Sequence, residues 1–113
     1  MTAIKLFKKD DIFVGFEISG HTGYAESGED ILCATISGIS QSIALGLSKV
    51  CNAKINIKKN DNSGYLKVEL LNNNDAQCIE KAQILFGTLQ LSIEDLLEGY
   101  SDYISMEVIE NVY

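Results

Sequence analysis

An uncharged run of 18 residues, 31–48, constrains the fold of this chain more than any other feature. Its length is compatible with a membrane span, but six of its residues are Ser, Thr or Gln and two are Gly. We therefore interpret it as a helix that is apolar on most sides and lies inside a globular domain. Its apolar stripe comprises Leu32, Ile36, Ile39, Ile43, Leu47 and Val50. Such a helix needs cover from a sheet, and a second subunit is a further source of cover.

The segments around this helix alternate between strand and helix patterns. Alternating apolar residues predict a hairpin of strands 3–8 and 12–18, and a second hairpin of strands 53–58 and 65–70 about a turn at 60–64. A helix-start signal at 72–75 and a three-four spacing of apolar residues after it predict a second long helix that ends near Gly99. Residues 103–112 are predicted to form a last strand. The order β-β-α-β-β-α-β predicts a single α+β domain over residues 1–113. We expect a two-layer sandwich with a mainly antiparallel sheet of about five strands and two long helices.

The composition disfavours several classes of function. A net charge of −7 argues against direct nucleic-acid binding, and the chain has no polybasic block that would hold a membrane surface. The N-terminus becomes charged too early for a signal peptide, so we expect a cytoplasmic protein. Three cysteines without a CxxC pair, together with one histidine, favour reduced thiols over a zinc site. We predict neither a metal nor another cofactor.

The residues whose side chains could take part in catalysis cluster in the segment 20–37. It holds the single histidine, His21, and a cysteine, Cys33, which follows a glycine-containing loop at the start of the first helix. Either Ser27 or Asp30 fits the N-cap of that helix, and Asp30 would place Cys33 at the third helical position. A cysteine there experiences the positive end of the helix dipole, which favours the thiolate. A thiolate with an imidazole close by is the minimal equipment for acyl transfer through cysteine.

An ordered motif extends this pattern. It comprises Gly20-His21, Gly23, Gly28-Glu29-Asp30, Cys33-Ala34 and Ser37. With this motif, its length and its element order, the chain resembles the ribosomal-processing cysteine proteases of bacteria, the Prp family. The resemblance implies a cytoplasmic, homodimeric cysteine endopeptidase. Its substrate would be the precursor of a large-subunit ribosomal protein, the twenty-seventh in its series, whose N-terminal extension is removed.

The resemblance also implies roles for individual residues. Cys33 matches the nucleophile and His21 the base, whereas on composition alone Cys33 would more often be a small buried hydrophobe. Asp30 either orients His21 or caps the helix. Backbone amides at the helix start, including that of Cys33, are candidate donors to the oxyanion.

The remaining candidates have two interpretations each. Gly20, Gly23 and Gly28 serve turns or let the loop close over a peptide. Tyr24 contacts substrate or packs the loop, and Ser37 contacts substrate or bonds its own helix backbone, which is the commoner habit. The rival functions are a non-catalytic ribosome-associated protein-binding module and a thiol-redox or acyl-transfer enzyme that uses Cys33 alone.

Overall fold

The computed structural model describes residues 1–23 and 30–111. Five strands and two helices follow one another in the order predicted. Their bounds are β1 (Thr2–Lys9), β2 (Ile12–Ser19), α1 (Ile31–Leu45), β3 (Ile55–Asn60), β4 (Tyr65–Leu70), α2 (Ala76–Tyr100) and β5 (Ile104–Ile109). Both predicted hairpins form, because β1 pairs with β2 and β3 pairs with β4 in antiparallel register.

The five strands form one sheet in the order β3-β4-β2-β1-β5. The pairs β1–β2, β2–β4 and β3–β4 are antiparallel, whereas β1 and β5 run parallel, with Thr2 opposite Ile104 and Phe7 opposite Ile109. The sheet is therefore mainly antiparallel, as the sequence predicted, with one parallel pair that makes it mixed. Alternation along a strand reports which residues are buried and carries no information about strand direction. The direction of β5 follows from α2, a long crossover that returns the chain to the far side of β1.

The core lies between the sheet and the two helices. Alternate residues of the central strands point towards the helices, and Ile4, Leu6, Phe16 and Val68 are fully buried. The predicted stripe of α2 faces them, because Ala82, Phe86, Leu89 and Ile93 are also fully buried. Phe86 lies edge-on to Phe16, with 6.4 Å between the ring centroids. This packing makes the two-layer α+β sandwich that the sequence predicted.

The carboxyl end of α1 departs from the predicted pattern. After Leu45 the chain continues for one turn of π-helix, Gly46–Val50, closed by a bond of 2.9 Å from the Cys51 amide to the Gly46 carbonyl. A π turn holds more residues than an α turn, so it rotates the following side chains away from their α-helical positions. Leu47 stays fully buried, but Val50 is 80% exposed and does not belong to the buried stripe.

Two large apolar side chains of α1 face solvent. Ile31 is 75% exposed and Leu45 is 60% exposed. Within the described residues, the helical segment Ile31–Val50 is the one stretch whose length and composition would allow it to cross a bilayer, a test that core helices of soluble proteins also pass. Its other face packs in the core through Leu32, Ile36 and Ile43, as the globular interpretation predicted.

Candidate active site

The first turn of α1 is fixed by Asp30, which is its N-cap residue. One carboxylate oxygen, Oδ1, accepts a hydrogen bond of 3.0 Å from the amide of Cys33, and the Asp30 carbonyl accepts one of 3.1 Å from the amide of Ala34. Of the two caps that the sequence allowed, the structure has Asp30, which places Cys33 at the third helical position. The capping role of Asp30 is thus observed, while its orientation of His21 stays a prediction.

The cap already uses one of the candidate oxyanion donors. The amide hydrogen of Cys33 is directed at Asp30 Oδ1, and its donation to an oxyanion stays a prediction. Removal of one oxyanion donor typically costs about 10²–10³ in rate, so the identity of the donor matters.

Thr22 connects the loop after β2 to the first turn of α1. Its amide donates a hydrogen bond of 3.2 Å to the Cys33 Sγ, and its hydroxyl donates to Asp30 Oδ2. The same hydroxyl oxygen lies 3.4 Å from the Cys33 Sγ. Thr22 is only 2% exposed, so these contacts lie away from bulk water. Sequence reasoning missed Thr22, because no local pattern distinguishes a threonine that bonds a residue eleven positions later.

His21 precedes Thr22 and is exposed. Its Nε2 lies 3.3 Å from the backbone carbonyl oxygen of Asn62, in the turn between β3 and β4. A carbonyl oxygen only accepts hydrogen bonds, so this contact requires a hydrogen on Nε2. In the neutral imidazole, Nδ1 then carries the lone pair and is the atom able to accept a proton.

Two glycines let the backbone approach closely enough to place His21. Gly20 has a φ of 90°, and a Cβ there would lie 2.6 Å from the Met1 carbonyl oxygen. Gly64 has a φ of 66°, and a Cβ there would lie 2.5 Å from the Gly20 carbonyl oxygen and 3.1 Å from His21 Cε1. A side chain at either position would strain the backbone and displace its neighbour. The segment 60–64 was predicted as a turn, but its place beside His21 was not.

His21 and Cys33 line the same groove, which has a volume of about 260 Å³. One wall is the first half of α1, and the other is the β3–β4 hairpin. The described contacts of the two side chains run to Asn62 and Thr22 respectively. The half-buried Cys33 is accessible from the groove. A peptide in this groove would therefore meet both the thiol and the imidazole.

Ser37, one turn beyond Cys33, also lines the groove and is exposed. Its hydroxyl accepts a hydrogen bond of 2.7 Å from the Gln41 side chain, so the described partner is a side chain rather than the helix backbone. Gly23 is exposed and has a φ of 71°. The other two candidates, Tyr24 and Gly28, lie outside the described residues.

The opposite wall of the groove carries charged and polar groups from the hairpin. Lys59 and Asp61 line it and form an ion pair of 3.5 Å with each other. Tyr65 donates a hydrogen bond of 2.9 Å to Glu17. Burial, this hydrogen bond and the charges of Glu17 and Glu69 raise the pKa of Tyr65 above its ordinary value of 10.0. Tyr65 is therefore a neutral hydrogen-bond donor at physiological pH.

Among residues 1–23 and 30–111, no group of three or more His, Cys, Asp or Glu side chains is placed to hold a metal ion. What the groove offers instead is a half-buried thiol, an imidazole and polar donors. These are the groups that nucleophilic catalysis through cysteine uses.

Comparison with characterised proteins identifies a family of cysteine proteases. The family described as cysteine protease Prp matches residues 1–105. The ribosomal processing cysteine protease Prp of Bacillus subtilis (strain 168) is 24% identical over 103 residues, which are 91% of this chain and 90% of that protein. The protein of the same name from Staphylococcus aureus (strain Mu50 / ATCC 700699) is 24% identical over 89 residues, 79% of this chain and 80% of the relative.

Solved structures match over almost the full length. The Prp protease of Staphylococcus aureus, crystallised with a covalently linked product peptide, superposes with a TM-score of 0.83 at 21% identity and covers 96% of this chain and 99% of that one. A Streptococcus mutans protein superposes with a TM-score of 0.81 at 24% identity, over 97% of this chain and 95% of that one. The shared fold and the match over residues 1–105 lead to one conclusion: this chain belongs to the cysteine protease Prp family.

Proposed function

We propose that this protein is a cytoplasmic cysteine endopeptidase that uses a dyad of Cys33 and His21. Its substrate is the precursor of the twenty-seventh large-subunit ribosomal protein, and it removes the N-terminal extension of that precursor during ribosome assembly. The observation that carries the proposal is that His21 and Cys33 line one groove at the start of α1, in a chain of a cysteine protease family. The substrate is inferred from relatives named as ribosomal processing proteases.

Cys33 is the nucleophile in this proposal. Its sulfur attacks the scissile carbonyl carbon as a thiolate, and collapse of the tetrahedral intermediate expels the amine and leaves an acyl-enzyme thioester. The Thr22 amide, which donates to Sγ over 3.2 Å, stabilises negative charge on the sulfur. The first turn of α1 adds the positive end of its dipole.

His21 is the general base and acid. With Nε2 directed at the Asn62 carbonyl, Nδ1 takes the thiol proton and later delivers it to the leaving amine. The same atom then activates a water molecule that hydrolyses the thioester. Catalytic hydrogen bonds of this kind commonly shorten only when substrate is bound, so we expect the peptide to bring His21 and Cys33 together.

Charge supports a basic peptide as the substrate. The protein carries a net charge of −7, and the segment between Gly23 and Asp30 contains Glu26 and Glu29. An acidic protein attracts a basic partner over long distances, and the attraction weakens as salt is added. Within this proposal Gly23, Tyr24 and Gly28 belong to a loop that contacts the peptide, and Ser37 meets it from α1.

The exposed apolar side chains of α1 support a homodimer. Leu45 and Val50 lie at the carboxyl end of this helical segment and are largely exposed, and exposed apolar patches on helices commonly mark subunit interfaces. Light scattering after size exclusion should give twice the mass of one chain. Leu45→Glu should shift the protein towards the monomer, whereas a dimer that persists in this variant would exclude this surface.

Mass spectrometry of an extended ribosomal precursor tests the activity and the substrate together. Wild-type protein should release one N-terminal fragment, and Cys33→Ala and His21→Ala should leave the precursor intact. A precursor that is bound with equal affinity by all three proteins and never cleaved would instead support the protein-binding module. Cleavage that survives His21→Ala would support a mechanism that uses the thiol alone.

A further inference from the structure

The turn between β3 and β4 is organised by the side chain of Asn60. Its Oδ1 accepts hydrogen bonds from two backbone amides, that of Asn62 over 3.1 Å and that of Ser63 over 3.3 Å. The Ser63 hydroxyl donates back to the Asn60 carbonyl over 3.4 Å. Residues 60–63 are exposed and β3 is an edge strand of the sheet, so burial does not fix this turn. The Asn60 oxygen does so, as asparagine side chains commonly do two residues ahead of themselves.

The peptide group between Asn62 and Ser63 connects Asn60 to the imidazole. Its N–H belongs to Ser63 and is directed at Asn60 Oδ1. Its carbonyl oxygen belongs to Asn62 and lies 3.3 Å from His21 Nε2. The described chain has no cis peptide bond, and the N–H and C=O groups of a planar trans peptide point in opposite directions. A side chain that fixes the direction of the N–H therefore also fixes the direction of the carbonyl that meets the imidazole.

This carbonyl can hold the ring throughout the proposed reaction. His21 is exposed, so its described contact with Asn62, rather than burial, orients the ring. A neutral imidazole with its hydrogen on Nε2 donates to the carbonyl, and an imidazolium, which has hydrogens on both nitrogens, still donates from Nε2. Nδ1 can therefore gain and lose a proton while the other nitrogen stays in place.

We propose that Asn60 is a positioning residue that orients His21 through the peptide group between Asn62 and Ser63. The role rests on the proposed function of His21 as the base, but its first test needs no cleavage. A Cβ on Gly64 would lie 3.1 Å from His21 Cε1, and an α hydrogen of this glycine points in the same direction. The distance between that hydrogen and the hydrogen on Cε1 therefore reports where the ring lies.

The first test is a nuclear Overhauser measurement between the His21 ring and Gly64 in the free protein. The chain has one histidine, so the ring signals are unambiguous. Wild-type protein should show a cross-peak between the hydrogen on Cε1 and an α hydrogen of Gly64. Asn60→Ala, which removes the accepting oxygen, should lose this cross-peak. Asn60→Asp, which keeps an oxygen at that position, should retain it, and so should Asn56→Ala, the matched control at an exposed position earlier in the same strand.

The second test separates orientation of the ring from direct contact with substrate, since Asn60 also lines the groove. With the ribosomal precursor, Asn60→Ala should lower kcat by about tenfold or more, because the base is misplaced. The same variant should change KM by less than about threefold, and Asn60→Asp should restore kcat to within about threefold of wild type. An alanine variant that keeps the cross-peak and raises only KM overturns the inference.

A further variant covers a failure of Asn60→Ala to fold, as judged by circular dichroism. Asn60→Gln then replaces it, because it keeps the amide but carries its oxygen one methylene further along, and it should also lose the cross-peak. A cross-peak that persists in the variant used overturns the inference, and so does an aspartate variant that loses it. If the precursor is not cleaved but the cross-peak disappears and returns as expected, the proposed function fails and the positioning role of Asn60 stands.

Discussion

The helices α1 and α2 begin in the same way, but the surroundings of their cysteines differ. Each helix is capped by an aspartate whose Oδ1 accepts from the amide of a cysteine three residues later, over 3.0 Å for Asp30 and Cys33 and over 2.8 Å for Asp75 and Cys78. The Cys33 Sγ receives a hydrogen bond from the Thr22 amide and lies in the groove with His21. The Cys78 Sγ faces two acceptors instead, the Cys51 carbonyl at 3.4 Å and the Asn74 side-chain oxygen at 3.6 Å.

This difference shows that two helix starts with the same cap can surround their cysteines with different groups. Both thiols experience the positive end of a helix dipole and both stand next to a capping carboxylate. The described contacts of the Cys78 sulfur are both to acceptors, whereas the Cys33 sulfur receives a backbone donor. The contacts that distinguish the two sites come from other parts of the chain, and within the proposed mechanism they favour Cys33 as the nucleophile.

The largest expected effect is on precursor cleavage. Cys33→Ala should lower the cleavage rate by about 10⁴-fold or more, because the nucleophile is removed. Cys78→Ala is the matched control, since it removes a thiol from the same position of the other helix, and it should stay within about threefold of wild type. Cleavage followed by mass spectrometry measures both, and a large loss in Cys78→Ala would contradict the comparison.

The next effect concerns the turn that places His21. Gly64→Ala introduces a Cβ only 2.5 Å from the Gly20 carbonyl oxygen at a φ of 66°. We expect a loss of about 1–3 kcal/mol in the free energy of unfolding and a fall in cleavage of about tenfold or more, because His21 moves. Gly99→Ala, at an exposed position of α2 where a Cβ would meet nothing within 4 Å, is the control; it should raise the free energy of unfolding by up to about 1 kcal/mol and leave cleavage unchanged. Urea unfolding and the cleavage assay together decide the outcome.

A smaller effect is the difference between the alkylation rates of Cys33 and Cys78 in the wild-type protein. At pH 7 iodoacetamide should modify Cys33 about tenfold to a hundredfold faster than Cys78, because only the Cys33 sulfur receives a backbone donor among the contacts described here. Peptide mass spectrometry after brief labelling gives both rates from one sample. Equal rates would mean that the two helix starts are chemically equivalent.

The smallest effect is the loss of free energy of unfolding when the N-cap side chain of either helix is removed. Asp75→Ala should lower the free energy of unfolding by about 1 kcal/mol, since it removes one capping bond. Asp30→Ala should cost about 2 kcal/mol, because the buried Thr22 hydroxyl also loses an acceptor. Asp75→Asn and Asp30→Asn, which retain capping oxygens, serve as controls in urea unfolding. If Asp30→Ala lowers the free energy of unfolding less than Asp75→Ala does, the hydrogen bond from Thr22 to Asp30 does not contribute to stability.

Local patterns predicted most of the fold. Alternation placed the two hairpins, and the three-four spacing through Phe86 and Ile93 placed α2 with its buried face. The π turn after Leu45 and the parallel direction of β5 were missed, since both depend on tertiary packing rather than on residue order. Val50 shows the consequence, because it continues the apolar spacing of α1 and yet faces solvent.

The candidate site was predictable only in part. The motif around His21 and Cys33 identified the family, and Asp30 was one of two predicted caps. Thr22 was missed, and so was the position of the predicted 60–64 turn beside His21, because these contacts join residues 11 to 41 positions apart. Such contacts leave no periodic trace in a single sequence.

The pairing of β1 with β5 has a practical consequence for how the protein is handled. Thr2 lines the groove and Gly20 packs against the Met1 carbonyl, so residues fused ahead of Met1 emerge beside the cysteine and the imidazole. Because β5 runs parallel to β1, Ile109 lies next to Phe7, at the opposite end of the sheet. A purification tag attached after the last strand therefore leaves the groove open, whereas one attached in front of the first strand begins at the groove.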